Sequence, residues 1–328
     1  MNRSNNLIGV PTITNIEEAY ERIKGQVKRT PILTSESINR ISGAEIYFKC
    51  ENFQKVGAFK FRGASNAVLS LSDDEAAKGV ATHSSGNHAA ALALAASLRG
   101  IPAHVVMPNN SPLIKRRAVE GYGARITYCN PTQQDREETL AKVQMRTGAA
   151  FVHPYDNTRV ICGQGTAAME LLQEVQNLDS VIVPVGGGGL MSGTTIYAKT
   201  ASPNIRVYGA EPRNADDAFR SLRDNMLHPS VNPTTIADGL LTSLSPLTFK
   251  IIAGLSNGIL TVSENDIVDA MRMIWERMKI VVEPSAAVPL AAVMANPDKF
   301  KDQRIGIILT GGNVDLDKLP FGKSLATL

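Results

Sequence analysis

Short apolar segments alternate with helical segments along almost the whole chain, and this alternation limits the folds that are available to it. β-branched and aromatic residues mark the strand candidates 45–50, 79–83, 103–107, 125–129, 150–153, 181–185, 205–210 and 304–309. Helical patterns lie between them, among them 89–99, 135–146, 166–175 and 264–279. Such an alternation indicates βαβ units, whose parallel sheets are covered by helices on both faces. The sequence therefore predicts an α/β fold.

Length and charge narrow the function classes. The 328 residues suffice for two domains with separate cores. A net charge of +3 is close to neutral for this size, so we expect neither a nucleic-acid nor a membrane partner. Met1 to Asn6 contain no apolar signal-peptide core, and the three cysteines lack metal-binding spacing. We therefore expect a cytoplasmic protein with reduced, half-buried thiols.

Four consecutive glycines follow the apolar segment 181–185. Gly186, Gly187, Gly188 and Gly189 connect this strand candidate to a helix candidate, so their backbone N–H groups can converge on an anion such as phosphate. Neither a P-loop nor the dinucleotide fingerprint is completed here. A plain turn is the alternative interpretation, because glycine clusters are common in turns.

Three further segments carry reactive or polar groups. Lys60 stands between Phe59 and Phe61, where desolvation favours the neutral, nucleophilic amine; the alternative is an ordinary exposed lysine. A possible carboxylate cradle precedes a helix candidate, although a simple helix N-cap explains it equally well. Its residues are Ser84, Ser85, Gly86, Asn87 and His88. Thr310 places a hydroxyl at the end of the strand candidate 304–309, where a tight turn is the alternative.

Together these segments are the parts that a pyridoxal phosphate enzyme needs for an amino-acid substrate. The chain resembles the fold-type II pyridoxal phosphate enzymes, in the serine racemase and threonine/serine dehydratase branch. The resemblance covers nearly the whole chain and also includes the motifs Glu51-Asn52-Phe53-Gln54, Glu211-Pro212, Asp238-Gly239, Glu283-Pro284 and Thr310-Gly311-Gly312-Asn313. It implies two domains, each with a mostly parallel twisted sheet flanked by helices. Residues 1–68 and 154–328 would form the large domain, and residues 69–153 the small one.

The resemblance also assigns roles. Lys60, next to Phe59, matches the lysine that holds the cofactor as a Schiff base, and Gly186 to Gly189 with Leu190 match the phosphate-binding loop. Asn87 matches the residue that bonds the pyridine 3′-oxygen. Thr310 matches the residue that faces the ring nitrogen, where serine racemases commonly have serine. The cradle from Ser84 to His88 would bind the substrate, with Ser85 on the face opposite Lys60.

The implied activity is β-elimination. A 3-hydroxy amino acid such as L-serine or L-threonine would yield a 2-keto acid and ammonia, and the presence of Ser85 adds serine racemisation as a second activity. One alternative is a 3-hydroxyaspartate dehydratase. An alternative of another class is a non-catalytic sensor that has kept the fold, but an intact Lys60 and glycine loop argue against it.

Two ligand sites follow from the same resemblance, together with a homodimer. Glu211, Ala215 and Asp217 match a divalent cation site, and their oxygens suit Mg²⁺ or Ca²⁺; the alternative is a solvated acidic helix start. Activation by ATP is the weaker expectation. Its positions are Lys55, Lys279 and Asn313.

Arg136 matches, by its spacing before His153-Pro154, a serine racemase arginine that faces the substrate pocket. A guanidinium can bind a carboxylate through two parallel hydrogen bonds, so Arg136 would favour 3-hydroxyaspartate over serine and threonine. The alternative is a surface arginine paired with Asp135 or Glu138 on a charged helix.

Overall fold

A computed structural model describes residues 9–111 and 113–323 of the chain. Met1 to Asn6, on which the expectation about a signal peptide rests, lie outside the described residues. The described part contains two separate sheets in which helices alternate with strands. The predicted α/β fold is therefore confirmed.

The strands agree closely with the sequence-based segments. In chain order they are β1 Ile32–Leu33, β2 Glu45–Cys50, β3 Val80–His83, β4 Ala103–Pro108, β5 Arg125–Cys129, β6 Ala150–Phe151, β7 Ser180–Pro184, β8 Arg206–Pro212, β9 Ile259–Val262 and β10 Arg304–Leu309. The two that the sequence analysis did not identify are β1, which has only two residues, and β9, which has four.

The order of the strands brings distant parts of the chain together. Within the described residues, one sheet has the order β1-β2-β10-β7-β8-β9 and the other β5-β4-β3-β6. Only the pairing of β1 with β2 is antiparallel among these. Because β2, β10 and β7 are parallel neighbours, the loops that follow them leave the same edge of the sheet. Those connections lead to Lys60 at the start of the helix Lys60–Leu69, to Thr310 and through the four glycines to the helix Gly189–Ala201.

The helices cover both sheets and are α1 Ile13–Ile23, α2 Glu36–Ser42, α3 Lys60–Leu69, α4 Asp73–Lys78, α5 Asn87–Arg99, α6 Leu113–Gly121, α7 Gln133–Thr147, α8 Thr158–Glu174, α9 Gly189–Ala201, α10 Asp217–Asp224, α11 Pro246–Leu255, α12 Glu264–Met278, α13 Pro284–Met294 and α14 Pro297–Phe300. Several begin at side-chain caps, such as Asn157 before α8 and Ser263 before α12.

Helix α8 begins eight residues before the predicted segment 166–175, and two glycines explain the difference. Gly163 and Gly165 weaken the helical pattern in the sequence. In the structure a Cβ at Gly163 would lie 2.6 Å from the carbonyl oxygen of Arg62. The glycine is therefore required by the close packing of α8 against α3, which outweighs its low helix propensity.

A buried cluster of four charged side chains fixes the start of α3. Arg62 donates to both oxygens of Glu51, at 2.7 and 2.8 Å, and to both oxygens of Glu170, at 2.9 and 2.7 Å. Lys49 adds an ion pair of 2.6 Å with Glu170. All four side chains are at most 1 % exposed, and their formal charges cancel. This cluster ties α3 to β2 and α8 only two residues after Lys60.

The cysteines and the helices can be compared with what the sequence predicts. Cys50, Cys129 and Cys162 are free, but they are buried rather than half-buried. Within the described residues, no helix is long and apolar enough to cross a membrane.

The β5-β4-β3-β6 sheet uses residues between 80 and 151, and the other sheet uses residues on both sides of that span. The domain boundaries near residues 68 and 154 stay a prediction.

Candidate active site

A cavity of about 360 Å³ lies between the two sheets, at the carboxyl ends of β2, β3, β7 and β10. The structure brings the four predicted segments together on its wall. The predicted residues that line it are Phe59, Lys60, Ser84, Ser85, Gly86, Asn87, His88, Arg136, Gly186, Gly187, Gly188, Gly189, Leu190, Thr310 and Asn313.

Lys60 is the first residue of α3, and its amine lies in the cavity wall. Its Nζ donates to the carbonyl oxygen of Pro154 at 3.0 Å and lies 5.1 Å from the centroid of the Phe59 ring. Burial lowers the pKa of Lys60 to about 8, although the charge of Glu283 opposes this shift. The neutral, nucleophilic form of the amine is therefore far more populated near physiological pH than in an exposed lysine, although it stays the minority form.

The four glycines form a turn between β7 and α9 that leaves no room for side chains. A Cβ at Gly187 would lie 2.2 Å from Cδ1 of Tyr155, and one at Gly188 would lie 2.6 Å from a methyl carbon of Leu244. Gly188 also has a φ of +83°, which favours glycine. The first N–H groups of a helix have no intrahelical partner, so the start of α9 offers donors to an anion in the cavity.

The segment from Ser84 to His88 joins β3 to the start of α5. The Ser84 hydroxyl accepts from the Gly86 N–H at 3.4 Å, and within the described residues the Ser85 hydroxyl makes no hydrogen bond. His88 is buried with its Nε2 3.1 Å from the Val152 carbonyl oxygen, and burial lowers its pKa to about 3. His88 is therefore neutral, and its contact with Val152 connects the start of α5 to the residue after β6.

Asn87 belongs to a hydrogen-bond network that the sequence analysis did not foresee. Its Nδ2 donates to both carboxylate oxygens of Glu283, at 3.1 and 3.2 Å, and its Oδ1 accepts from Asn313 at 2.9 Å. Burial raises the pKa of Glu283 to about 7. The amide orientation of Asn87 is therefore fixed by Glu283, the residue before α13, and by Asn313, three residues after Thr310. In the sequence, Glu283 appears only as the residue before Pro284.

Thr310 follows β10 and is 3 % exposed. Within the described residues its hydroxyl has no hydrogen-bond partner, although it lines the cavity. A buried hydroxyl is rarely left unpaired, so an acceptor or donor in the cavity would satisfy it.

Arg136 lies near the start of α7 and faces the cavity. It forms no ion pair with Asp135 or Glu138 in the described structure, because Asp135 accepts from Asn130 and Glu138 accepts from Gln134. The Nε of Arg136 is buried without a hydrogen-bond partner there. The pairing with Asp135 or Glu138 that the alternative interpretation requires is therefore absent from the described structure, and the role of Arg136 in substrate binding stays a prediction. Other polar residues on this wall, to which the sequence assigned no role, are His83, Lys115, Gln133, Asp238 and Ser285.

Two buried carboxylates face each other away from the cavity. Glu211 accepts from the N–H groups of Ala218 and Phe219, at 3.2 and 2.8 Å, whereas both oxygens of Asp217 lack a close partner among the described residues. Burial and the charge of Asp217 raise the pKa of Glu211 well above its usual range, and burial raises the pKa of Asp217 to about 6. Ala215 lies between them in the chain and is the buried residue of a 3-10 turn. A cation would relieve this repulsion.

The residues expected near a nucleotide do not meet at the cavity. Asn313 lines it, but Lys55 and Lys279 do not. The Lys55 amine lies 5.5 Å from the centroid of the Phe61 ring, and Lys279 ends α12 in a left-handed conformation.

Comparisons with known proteins agree with this geometry. The family described as "Pyridoxal-phosphate dependent enzyme" matches residues 23–311. The chain is 54 % identical to the beta-hydroxyaspartate dehydratase of Paracoccus denitrificans (strain Pd 1222), over 95 % of this chain and 99 % of that protein. The crystal structure of serine racemase from Dictyostelium discoideum superposes with a TM-score of 0.90 at 48 % identity, covering 93 % and 99 % of the two chains. The structure of maize serine racemase gives a TM-score of 0.92 at 46 % identity, covering 94 % of this chain and 95 % of that one.

Proposed function

The chain belongs to the pyridoxal-phosphate-dependent enzyme family, and we propose that it eliminates water from a 3-hydroxy amino acid, with 3-hydroxyaspartate as the preferred substrate. The products would be a 2-keto acid and ammonia. The observation that supports this preference best is the unpaired guanidinium of Arg136 in the wall of the cavity that contains the Lys60 amine.

The residues around the cavity fit pyridoxal phosphate. Lys60 offers a desolvated amine for a covalent bond, and the turn from Gly186 to Gly189 offers backbone donors with no side chain in the way. Thr310 offers a buried hydroxyl that lacks a partner in the described structure. Asn87 also lines the cavity, where Glu283 holds its amide nitrogen in place through both carboxylate oxygens. When bound there, the cofactor supplies an electron sink for charge that develops at the substrate Cα.

Lys60 is the base in the proposed reaction. With the cofactor and substrate bound, the neutral Nζ of Lys60 would accept the proton from the substrate Cα. Burial, which lowers the pKa of Lys60 to about 8, keeps this amine able to accept a proton at neutral pH. The electron pair left at Cα would then expel the β-hydroxyl, which would leave as water with the proton that Lys60 took up. Hydrolysis of the resulting enamine would give the 2-keto acid and ammonia. If Thr310 lies next to the ring nitrogen of the bound cofactor, as the resemblance implies, its neutral hydroxyl would disfavour a charged ring nitrogen and so favour rapid loss of the β-substituent.

The substrate would be held at both ends. The hydroxyls of Ser84 and Ser85 and the first N–H groups of α5 suit the α-carboxylate. Arg136 approaches from α7, and its fork of N–H donors suits a second, distal carboxylate. L-serine and L-threonine have no group for that fork, so a buried guanidinium nitrogen would stay unpaired with them.

A substrate comparison tests this function. We expect the holoenzyme to release keto acid from 3-hydroxyaspartate with a higher kcat/KM than from L-serine or L-threonine. The Arg136→Ala variant should lose most of kcat/KM for 3-hydroxyaspartate and little for L-serine. A parallel loss for both substrates would limit Arg136 to a structural role. A protein that shows no borohydride-sensitive visible band and no turnover would instead be the non-catalytic sensor.

Serine racemisation is the second candidate activity, because Ser85 presents an unengaged hydroxyl to the same cavity. A residue that exchanges a proton with Cα on the face opposite Lys60 is what racemisation requires. Measuring the chirality of recovered serine alongside keto-acid release separates the two activities.

A divalent cation would bind at Glu211, Ala215 and Asp217. The support is the unpaired, buried Asp217 carboxylate beside Glu211, since hard oxygen ligands suit Mg²⁺ or Ca²⁺. Within the described residues no group of three or more His, Cys, Asp or Glu side chains could hold a metal, so a carbonyl and waters would have to complete the shell. The homodimer, the cytoplasmic location and ATP activation through Lys55, Lys279 and Asn313 stay predictions.

A further inference from the structure

An ion pair in the cavity wall has no role in the reaction described so far. The Nζ of Lys115, on α6, lies 2.7 Å from Oδ2 of Asp238, on the 3-10 turn that precedes α11. The two side chains are 33 % and 54 % exposed, respectively, and both line the cavity. We propose that Lys115 is a second specificity-determining residue, which releases Asp238 and binds the distal carboxylate of the substrate together with Arg136. This inference rests on the proposed elimination reaction and extends it.

The exposure of the pair makes it exchangeable. Partly exposed ion pairs contribute little to stability, because water screens the charges and two flexible side chains must be ordered. Asp238 is the more exposed partner, so water can hydrate its carboxylate once Lys115 has left. An incoming carboxylate replaces Asp238 as the partner of Lys115 without leaving either charge buried and unpaired.

Two cations on the cavity wall are available to the carboxylates of a substrate. Among the described lining residues, the formally charged side chains are Lys60, Lys115, Arg136, Asp238 and Glu283. The histidines on this wall do not add positive charge, since burial lowers the pKa values of His83, His88 and His153. With Lys60 on the cofactor, Arg136 and Lys115 are the cations left for the substrate. L-serine offers its α-carboxylate to the Ser84–His88 cradle and nothing to Lys115, so it cannot displace Asp238.

Substitutions of both partners test the exchange in the holoenzyme. Lys115→Gln should lower kcat/KM for 3-hydroxyaspartate about tenfold, the effect of losing one charge-assisted hydrogen bond, and change kcat/KM for L-serine little. Asp238→Asn removes the competing carboxylate, so it should lower KM for 3-hydroxyaspartate. In the Lys115→Gln background, Asp238→Asn should no longer lower that KM, because the two changes act through one contact. Lys142→Gln, an exposed lysine on α7, is the matched control and should behave as the wild type.

A binding measurement separates this inference from the proposed function. Succinate has two carboxylates but no amine, so its affinity for the holoenzyme by calorimetry does not depend on turnover. Lys115→Gln should weaken succinate binding and leave the binding of propionate, a monocarboxylate, unchanged. Equal losses of kcat/KM for 3-hydroxyaspartate and L-serine, unchanged succinate affinity, or a persistent Asp238→Asn effect without Lys115 would each overturn the exchange. A wild type that binds succinate through Lys115 but eliminates no 3-hydroxy amino acid would refute the proposed function alone.

Discussion

Removing the guanidinium of Arg62 should cost more stability than most single substitutions in this fold. Arg62 makes four short hydrogen bonds to Glu51 and Glu170, and its side chain is fully buried. Arg62→Met leaves two buried carboxylates with Lys49 as their remaining cation in the cluster. Breaking a buried ion pair from one side typically costs about 3–5 kcal/mol. That is a large part of the roughly 5–15 kcal/mol by which a folded domain is stable.

The pH dependence of this loss has a definite sign. In the wild type, Arg62 holds the pKa of Glu51 below its usual range despite burial, so this carboxylate contributes stability above its unfolded-state pKa and loses it as pH falls. Without Arg62, burial dominates and raises the folded-state pKa above the unfolded one. Protonation then relieves the penalty, so the difference in stability between variant and wild type should shrink as pH falls.

Urea unfolding of the holoenzyme, followed by circular dichroism at about pH 7.5 and about pH 5.5, measures both effects. Arg40→Met, which removes an exposed arginine of α2, is the control and should cost less than about 1 kcal/mol. If Arg62→Met has soluble yield too low for unfolding, Arg62→Lys keeps the charge and should lose less. If Arg62→Met lowers the free energy of unfolding by less than about 1 kcal/mol at both pH values, the stabilising role assigned to Arg62 is refuted. Burying a carboxylate that has lost its hydrogen-bond donor should cost more than that.

Three further predictions concern the site. Lys60→Ala should abolish the visible absorbance of the lysine-bound cofactor and all turnover. Substantial elimination activity in this variant would contradict the proposed role of Lys60 as base. Ser85→Ala should lose D/L interconversion of serine and keep part of the dehydration of L-serine, which chiral chromatography and keto-acid assay can separate; an equal loss for both serine enantiomers would leave Ser85 a role in binding only. Asp217→Asn should remove any activation or thermal stabilisation by Mg²⁺, which differential scanning fluorimetry with and without chelator detects; a wild type indifferent to chelator and to added Mg²⁺ would speak against the cation site.

Local patterns in the sequence predicted most of the strands. Runs of β-branched residues are typical of buried strands, and the alternation of such runs with helical segments is typical of parallel sheets. The strands β5 and β10 match the predicted segments residue for residue, as does β2. Helix boundaries were less accurate where tertiary packing set the residue type. Gly163 and Gly165 in α8 look like helix breakers in isolation, whereas the contact of α8 with α3 requires a glycine at position 163.

The cavity residues were predictable to the extent that they belong to contiguous motifs. Lys60, the segment from Ser84 to His88, the four glycines and Thr310 each stand out within a few residues of sequence. Lys115 gave no comparable signal, and Glu283 and Asp238 stood out only as parts of family motifs without a role, because their environment is supplied by segments far away in the chain. Asn87 and Glu283, for example, are 196 residues apart in sequence and about 3 Å apart in space.

The sequence by itself thus determined the strand and helix pattern, the class of chemistry and the residues with intrinsic reactivity, because propensity, patterning and motif spacing are local properties. Only the tertiary structure decided which charges are paired. The parallel order of β2, β10 and β7 puts three loops at one edge, burial then lowers the pKa of Lys60 and raises that of Glu283, and Arg136 is left without a partner among the described residues. Desolvation and charge pairing depend on which groups surround a side chain in space. Those neighbours come from distant parts of the chain, so only the folded structure shows them.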